Sequence, residues 1–271
     1  MVTLTRVKTL SSRDNPEIKR LHALAQSGRE RRKLGLTLLD GPHLVGTAHA
    51  AGVHLHELVI SDKGYANPEI LALLAGIANV PVVRVGDGLF AHVSPVDTPS
   101  GILAVVDYPR LDGVPVPAGT ILVLEAVQDP GNLGTILRTA AAAGVQQAYL
   151  TEGCAQAWSP RALRAGMGGH FSLEIVEGVD ALALLECFAG PVLATSLDAD
   201  AQPLYDIDLA QPVAWLFGAE GRGLSPALTA RASQRLRIPM PGAVESLNVG
   251  AAVAICLFEQ VRQGQTGRPR Q

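Results

Sequence analysis

Residues 120–138 read TILVLEAVQDPGNLGTILR, an apolar run followed by a turn and then by a helical pattern. The run TILVL is typical of a buried strand, and the DPGN tetrapeptide at residues 129–132 is a turn signal. Asn132 is a candidate N-cap, and Arg138 then lies about two turns into the following helix. This stretch therefore predicts a strand–loop–helix unit whose loop and first helical turns carry polar side chains.

The same alternation continues towards the end of the chain. Further apolar runs, separated by helical patterns, lie at residues 147–150, 173–176, 192–195 and 213–217. Continuous apolar strands that alternate with helices indicate a parallel sheet covered by helices on both faces. Residues 120–271 are therefore predicted to form an α/β domain built on a parallel sheet.

A second, smaller α/β unit is expected before this domain. Its predicted elements are a helix at 14–26, a strand at 34–39, a helix at 41–51, a strand at 55–60, a helix near 68–75 and strands at 80–85 and 102–106. This order predicts an α/β/α domain over residues 1–107. Residues 108–119, YPRLDGVPVPAG, are predicted to be a linker because their prolines disfavour both helix and central strand.

Charge is distributed unevenly along the chain. The formal net charge is −3, but residues 1–33 carry nine basic against three acidic residues, a net charge of +6. Such an asymmetry favours binding of a polyanion at the N-terminal segment, although a solvated basic helix without a partner fits as well. The candidate residues for binding such a polyanion are Arg13, Lys19, Arg20, Arg29, Arg31, Arg32 and Lys33.

Composition and spacing exclude several classes of protein. The chain is 48% hydrophobic and 17% charged, which is typical of a globular protein and not of a disordered one. Its three cysteines are widely spaced, so neither a disulfide framework nor a zinc site is indicated. His54 and His56 share a strand face without a third ligand nearby, so no metal site is predicted. The dinucleotide-binding and P-loop glycine motifs are missing. The N-terminus lacks a signal-peptide core, and a reduced, cytoplasmic protein is the expectation.

Two more polar clusters follow strand patterns in the second half of the chain. Residues 216–225, LFGAEGRGLS, place three glycines around Glu220 directly after a strand, where α/β sheets usually bind ligands. Residues 238–248, IPMPGAVESLN, form an irregular loop from which Ser246 and Asn248 open the last helix. Taken singly, each cluster also fits an ordinary turn or helix cap.

The last helix has an unusual composition. Residues 247–261, LNVGAAVAICLFEQV, are apolar or small nearly all round, whereas a helix on the surface of a sheet carries a polar outer stripe. Its second face is therefore expected to be covered, either by another part of the chain or by a second subunit. A homodimer through the C-terminal domain is the favoured alternative.

In this order and spacing, the three polar clusters resemble motifs one, two and three of the SpoU (TrmH-type) branch of the SPOUT methyltransferase superfamily. The asparagine and arginine of motif one correspond to Asn132 and Arg138. The pattern F-G-x-E-G-x-G-L-S of motif two lies at residues 217–225, and I-P-M-x-G-x-x-E-S-L-N-V of motif three lies at residues 238–249. The resemblance covers about residues 118–262.

The N-terminal part also carries a weaker resemblance. Residues 40–53, DGPHLVGTAHAAGV, are similar to part of the L30e-like substrate-binding domain that is often fused to this family. Asp40 stands where family members often have Glu, and His43 where many have Arg. These departures loosen any inference about the particular RNA.

The resemblance implies an S-adenosylmethionine-dependent RNA 2′-O-ribose methyltransferase with a deep trefoil knot in its C-terminal domain. It implies cofactor contacts from Thr195, Gly218, Ile238 and Leu247, and a homodimer with the active site at the subunit interface. Ribosomal RNA is the expected substrate and transfer RNA the alternative. A catalytically silent RNA-binding protein of the same fold and methylation of guanine N1 are further alternatives. The complete set of polar motif residues and the sequence ESLN favour 2′-O-methylation.

By the same resemblance, the expected catalytic residues are Asn132, Arg138, Glu220, Ser246 and Asn248. A histidine base is not expected, because the three clusters contain no histidine. Positioning of the ribose hydroxyl should supply much of the rate, since the methyl donor is already activated. An arginine keeps its proton at neutral pH, so Arg138 is expected to orient the hydroxyl and to stabilise the negative charge that develops on it.

Overall fold

The computed structural model describes residues 7–96, 98–109 and 113–266. These residues divide into two compact units. The first contains the described residues up to 109 together with Trp158–Phe171, and the second contains the remainder. Within the described ranges, we find no helix that is both long and apolar enough to cross a membrane.

The first unit is built on a five-stranded mixed sheet. In chain order its elements are β1 (Val7–Leu10), α1 (Pro16–Gln26), α2 (Gly28–Leu34), β2 (Leu36–Asp40), α3 (Pro42–Ala50), β3 (Leu55–Ser61), α4 (Asp62–Tyr65), α5 (Pro68–Gly76), β4 (Val82–Val85), α6 (Asp87–Val93) and β5 (Ile102–Asp107). The strand order is β1-β4-β3-β5-β2, with β5 antiparallel to both of its neighbours. Ile18, Leu21 and Leu24 of α1 are fully buried in the core on this sheet, as the helical pattern predicts.

The second unit is built on a seven-stranded sheet. The remaining elements of the chain are β6 (Ile121–Leu124), α7 (Pro130–Ala142), β7 (Gln147–Thr151), α8 (Pro160–Gly166), a 3₁₀ helix (Gly169–Ser172), β8 (Glu174–Val179), α9 (Ala181–Glu186), β9 (Val192–Thr195), β10 (Gln202–Pro203), a 3₁₀ helix (Leu204–Asp206), β11 (Ala214–Phe217), α10 (Pro226–Arg231), β12 (Gln234–Arg237) and α11 (Val249–Thr266). The strand order is β10-β12-β9-β11-β6-β7-β8. All its pairings are parallel, which confirms the predicted fold class.

Three strands lie outside the sequence prediction. β1, β10 and β12 are short, and none forms a continuous apolar run. In β12 only Leu236 is buried, so its sequence QRLR carries no strand signal of its own. Backbone pairing holds these strands in the sheets, β1 against β4, β10 against β12 and β12 against β9. The expected trefoil knot stays a prediction.

The segment Trp158–Phe171 lies between β7 and β8 in sequence but packs within the first unit. The Thr37 hydroxyl donates a hydrogen bond to the carbonyl of Trp158 at 2.7 Å. The Arg164 guanidinium lies 3.3 Å from the carboxylate of Asp40, whose side chain is fully buried. Burial raises the pKa of Asp40, and hydrogen bonding by Ser100 and the charge of Arg164 oppose that rise. This segment is therefore tied to β2 of the first unit at two points.

The described part of the expected linker is also ordered by contacts. The Tyr149 hydroxyl donates to the carbonyl of Pro115 at 3.1 Å. The Gln147 amide donates to the carbonyl of Val116 at 3.3 Å and accepts from the backbone of Ala118 at 2.8 Å. Residues 115–118 are thus held against β7. The domain boundaries at residues 107 and 120 remain predictions.

Candidate active site

The loops that carry the polar clusters meet at one edge of the second sheet. β12, β9, β11 and β6 are neighbours in the parallel sheet, so the loops after β6, β11 and β12, which carry the three clusters, leave at the same, carboxyl-terminal edge. The Glu125 carboxylate, just after β6, accepts a hydrogen bond from the backbone of Ser225 at 2.6 Å. Ser225 caps α10 at the end of the loop that follows β11. One carboxylate therefore ties the first cluster to the second.

The loop after β11 is compact and defined by its glycines. Gly221 and Gly223 adopt positive φ angles of 79° and 65°, which glycine adopts without strain. The Gly223 backbone donates to the carbonyl of Ala219 at 2.9 Å and closes the loop. A Cβ atom at Gly218 would lie 2.1 Å from the carbonyl carbon of Gly223. Gly218 is therefore required by the packing of the loop itself, in addition to any close approach of a ligand.

Three predicted catalytic residues form one hydrogen-bonded cluster. The Asn132 side chain donates to Glu220 Oε1 at 2.6 Å, and the Asn248 side chain donates to the same oxygen at 3.1 Å. Asn248 Nδ2 also lies 3.0 Å from the Asn132 side-chain oxygen. The Asn248 oxygen accepts from the backbone of Gly250 at the start of α11. We call Asn132, Glu220 and Asn248 the amide–carboxylate cluster. It joins residues up to 116 positions apart in the sequence.

A cavity of about 710 Å³ opens beside this cluster. It is lined by all four predicted cofactor-binding residues, Thr195, Gly218, Ile238 and Leu247, together with Glu220, Ser246 and Asn248. It is also lined by residues that the sequence analysis did not single out, among them Leu197, Asp198, Arg222, Met240 and Glu245. Arg222 and Glu245 lie inside the quoted motifs, and their charge beside an expected ligand site is the signal that could have identified them.

The fifth predicted catalytic residue, Arg138, stands apart from the cavity. It lies on α7 six residues after Asn132, about 9 Å further along the helix axis. Its side chain is exposed, and it neither lines the cavity nor forms a hydrogen bond or ion pair with any residue in the described ranges. One copy of the chain therefore does not bring Arg138 into the amide–carboxylate cluster.

The seven predicted RNA-binding residues differ in their exposure to solvent. Arg13, Lys19, Arg29, Arg32 and Lys33 are exposed, with Lys19 3.1 Å from Asp14 and Lys33 3.6 Å from Glu30. Arg20 pairs with Glu57 and is half-buried.

Arg31 is placed differently from the prediction. It is buried, and its guanidinium donates to the carbonyl oxygens of Leu24 at 2.8 Å and Ala25 at 3.3 Å. These carbonyls lie in the last turn of α1, where a helix has no backbone donors left for them. Arg31 therefore closes the end of α1 and is not available to a phosphate.

Two family models match most of the chain. The SpoU rRNA Methylase family matches residues 119–258, which include the loops and the cavity described above. The MRM3-like substrate binding domain matches residues 15–104.

Individual relatives match along nearly the full length. An uncharacterised tRNA/rRNA methyltransferase of Synechocystis is 34% identical over 95% of this chain and 94% of its own. The 23S rRNA (guanosine(2553)-2′-O)-methyltransferase of Bacillus subtilis is 31% identical over 93% of this chain and 98% of its own. The crystal structure of the SpoU methyltransferase AviRb from Streptomyces viridochromogenes, in complex with its cofactor AdoMet, superposes with a TM-score of 0.83 at 26% identity. It covers 94% of this chain and all of that one.

Proposed function

The chain belongs to the SpoU rRNA methylase family, and we propose that it transfers a methyl group from S-adenosylmethionine to a ribose 2′-hydroxyl of 23S ribosomal RNA. The observation that carries this proposal is the cavity beside the amide–carboxylate cluster. It combines a space for the cofactor with polar groups that can hold the acceptor hydroxyl.

The cavity suits the cofactor in size and in chemistry. Its volume of about 710 Å³ lies within the range of roughly 300–1,000 Å³ that is usual for small-molecule sites. Apolar side chains such as Leu197, Ile238 and Met240 line it together with the carboxylates of Glu220 and Glu245. S-adenosylmethionine supplies a methyl group that is already activated on a positively charged sulfur. A partly apolar site with carboxylates is compatible with such a cation.

The amide–carboxylate cluster positions the acceptor. Both amides donate to Oε1 of Glu220, which fixes the plane of the carboxylate. In the described ranges, no hydrogen bond uses Oε2 of Glu220, which leaves that oxygen to accept the hydrogen of the ribose hydroxyl. Ser246 lines the same cavity and holds the ribose from the other loop. Oriented approach of this kind is worth about 7–11 kcal/mol in intramolecular reactions.

The active enzyme is a homodimer in this proposal. Phe258 on α11 is 47% exposed, and Arg138 is exposed on α7, the helix that packs against α11. With Phe258, the partly or fully exposed residues Ala251, Ala254 and Ile255 form one continuous apolar face of α11, and a continuous exposed apolar patch is typical of a subunit interface. The interface then covers Phe258 and brings Arg138 to the active site at the subunit boundary, where it stabilises the charge that develops on the ribose oxygen.

The RNA is held by the first unit through Arg13, Arg29, Arg32, Lys19 and Lys33, which are exposed and lie on α1, α2 or the loop before α1. Phosphate contacts from such residues give sequence-independent affinity. We place the enzyme in the cytoplasm, a reducing compartment in which the free thiols of Cys154, Cys187 and Cys256 persist.

The product of the reaction tests this function. The protein is incubated with radiolabelled S-adenosylmethionine and, in separate reactions, with an unmodified bacterial 23S rRNA transcript or an unmodified tRNA transcript, and the RNA is then hydrolysed with alkali. We expect radiolabelled dinucleotides that resist alkali, because a 2′-O-methyl group blocks cleavage of the adjacent phosphodiester. Transfer of label to tRNA alone would redirect the substrate assignment, and label in base-methylated mononucleotides would contradict ribose methylation.

A further inference from the structure

The acidic residues that line the cavity are electrostatically unfavourable for an RNA substrate. Three carboxylates line it, those of Asp198, Glu220 and Glu245. Only Asp198 is compensated within the described part of the chain, by an ion pair with Arg235 at 3.0 Å. The ribose that accepts the methyl group carries a phosphate on C3′, the carbon next to the one that bears the 2′-hydroxyl. Delivery of that hydroxyl therefore brings a negative charge close to carboxylates that repel it.

Among the described residues that line the cavity, Arg222 is the one basic residue. Its side chain is exposed and forms no hydrogen bond or ion pair with the residues that the structure describes. A guanidinium matches the geometry of a phosphate with two parallel hydrogen bonds. A guanidinium that has no partner among the described residues and lies beside acidic neighbours is suited to bind such a phosphate.

The backbone that carries Arg222 is held firmly. Gly221 and Gly223 flank it in positive-φ conformations, and the bond from Gly223 to the carbonyl of Ala219 closes the loop beneath it. Glu125 anchors the end of the same loop through the backbone of Ser225. A pre-organised loop lowers the conformational entropy that is lost when its side chain binds a ligand.

We propose that Arg222 binds the RNA phosphate next to the target ribose and thereby sets the 2′-hydroxyl against Glu220. This assignment rests on the proposed function, and it gives Arg222 a role in substrate binding that is separate from the role of Arg138. The cofactor also carries an anionic group, its carboxylate, so the experiment must separate the two anions.

Arg222→Ala, Arg222→Lys and the control Arg231→Ala are compared with the wild type. Arg231 ends α10 in the same unit, is exposed, and does not line the cavity. For Arg222→Ala we expect the KM for an unmodified 23S rRNA transcript to rise about tenfold or more, as for loss of a charge-assisted hydrogen bond. The slope of RNA affinity against salt should fall by about 0.7–0.9, the value for one phosphate contact. S-adenosylmethionine affinity, measured by calorimetry, should not change.

Arg222→Lys should fall between the wild type and Arg222→Ala, and Arg231→Ala should match the wild type. An unchanged KM and salt slope in Arg222→Ala would show that Arg222 binds no phosphate. Weakened cofactor binding with unchanged RNA affinity would assign Arg222 to the cofactor carboxylate and also overturn the proposal. A wild-type protein that produces no alkali-resistant dinucleotides would instead overturn the proposed function, and the role of Arg222 with it.

Discussion

At the residue scale, Arg138 and the amide–carboxylate cluster have different roles in the proposed reaction. Asn132, Glu220 and Asn248 hold one another in fixed orientations within a single chain. Arg138 is exposed and unengaged in the described ranges, so its guanidinium is free to meet a substrate or a second subunit. The side-chain amides of Asn132 and Asn248 already donate to Glu220, whose carboxylate repels a negative charge on the ribose oxygen, so a guanidinium such as that of Arg138 is suited to stabilise this charge.

Arg138→Ala is expected to lower kcat at least about 100-fold, as removal of one oxyanion-stabilising donor does in other enzymes. Its S-adenosylmethionine affinity and melting temperature should match the wild type, because the exposed side chain does not line the cavity and forms no hydrogen bond or ion pair with a described residue. Arg138→Lys, which keeps the charge and loses the planar fork, should retain part of the activity. Initial rates with saturating RNA and cofactor measure the effect, and wild-type turnover by Arg138→Ala would contradict the assigned role.

At the element scale, the basic residues of α1 and α2 divide between buried and exposed positions. Arg31 is buried against the carbonyl end of α1, while its neighbour Arg32 is exposed. The two residues are adjacent in sequence, yet about 100° of helix rotation separates them on α2. Substitution of Arg31 should therefore affect stability, whereas substitution of Arg32 should affect RNA binding.

Arg31→Ala is expected to lower the free energy of unfolding by about 1–3 kcal/mol, because it leaves buried carbonyl oxygens without donors. Arg32→Ala should leave stability unchanged, weaken RNA binding and reduce its salt slope by about 0.7–0.9. Urea unfolding and salt-dependent filter binding measure the two properties. If Arg32→Ala has the wild-type salt slope, α2 does not contact the RNA backbone.

At the scale of the whole molecule, the paired helices α7 and α11 are the surface on which the proposed dimer depends. Phe258 is 47% exposed on α11, although the same helix buries Val253, Cys256 and Leu257. Burial raises the pKa of the Cys256 thiol to about 12, so this residue stays a neutral apolar group at physiological pH. The helix is thus apolar on its inner face and on part of its outer face, as its sequence predicts.

Phe258→Asp is expected to convert the dimer to a monomer, because a carboxylate in an apolar interface loses its hydration without gaining a partner. Methylation should fall with it if the active site lies at the subunit boundary. Leu182→Asp is the matched control, since Leu182 is a 39% exposed apolar residue on α9. Sedimentation velocity measures the mass. A wild-type protein that is monomeric at micromolar concentration would refute the dimer.

The sequence by itself determined the parallel sheet, the positions of its main strands along the chain and the identity of the three polar loops. Apolar runs, turn residues and helix caps are local signals, and each can be recognised within a segment of a few residues. Parallel strands bring their following loops to one edge, so even the meeting of Asn132 with Glu220 could be expected from the topology.

Only the tertiary structure decided which polar groups are engaged. It buried Arg31 at the end of α1, paired Asp40 with Arg164 across 124 positions, and made Gly218 indispensable to its own loop. It also left Arg222 facing the cavity without a partner in the described chain. Residue type and local pattern do not specify these contacts, because each contact depends on the path of every element between its two partners. Each also depends on which polar groups lose contact with water when those elements pack.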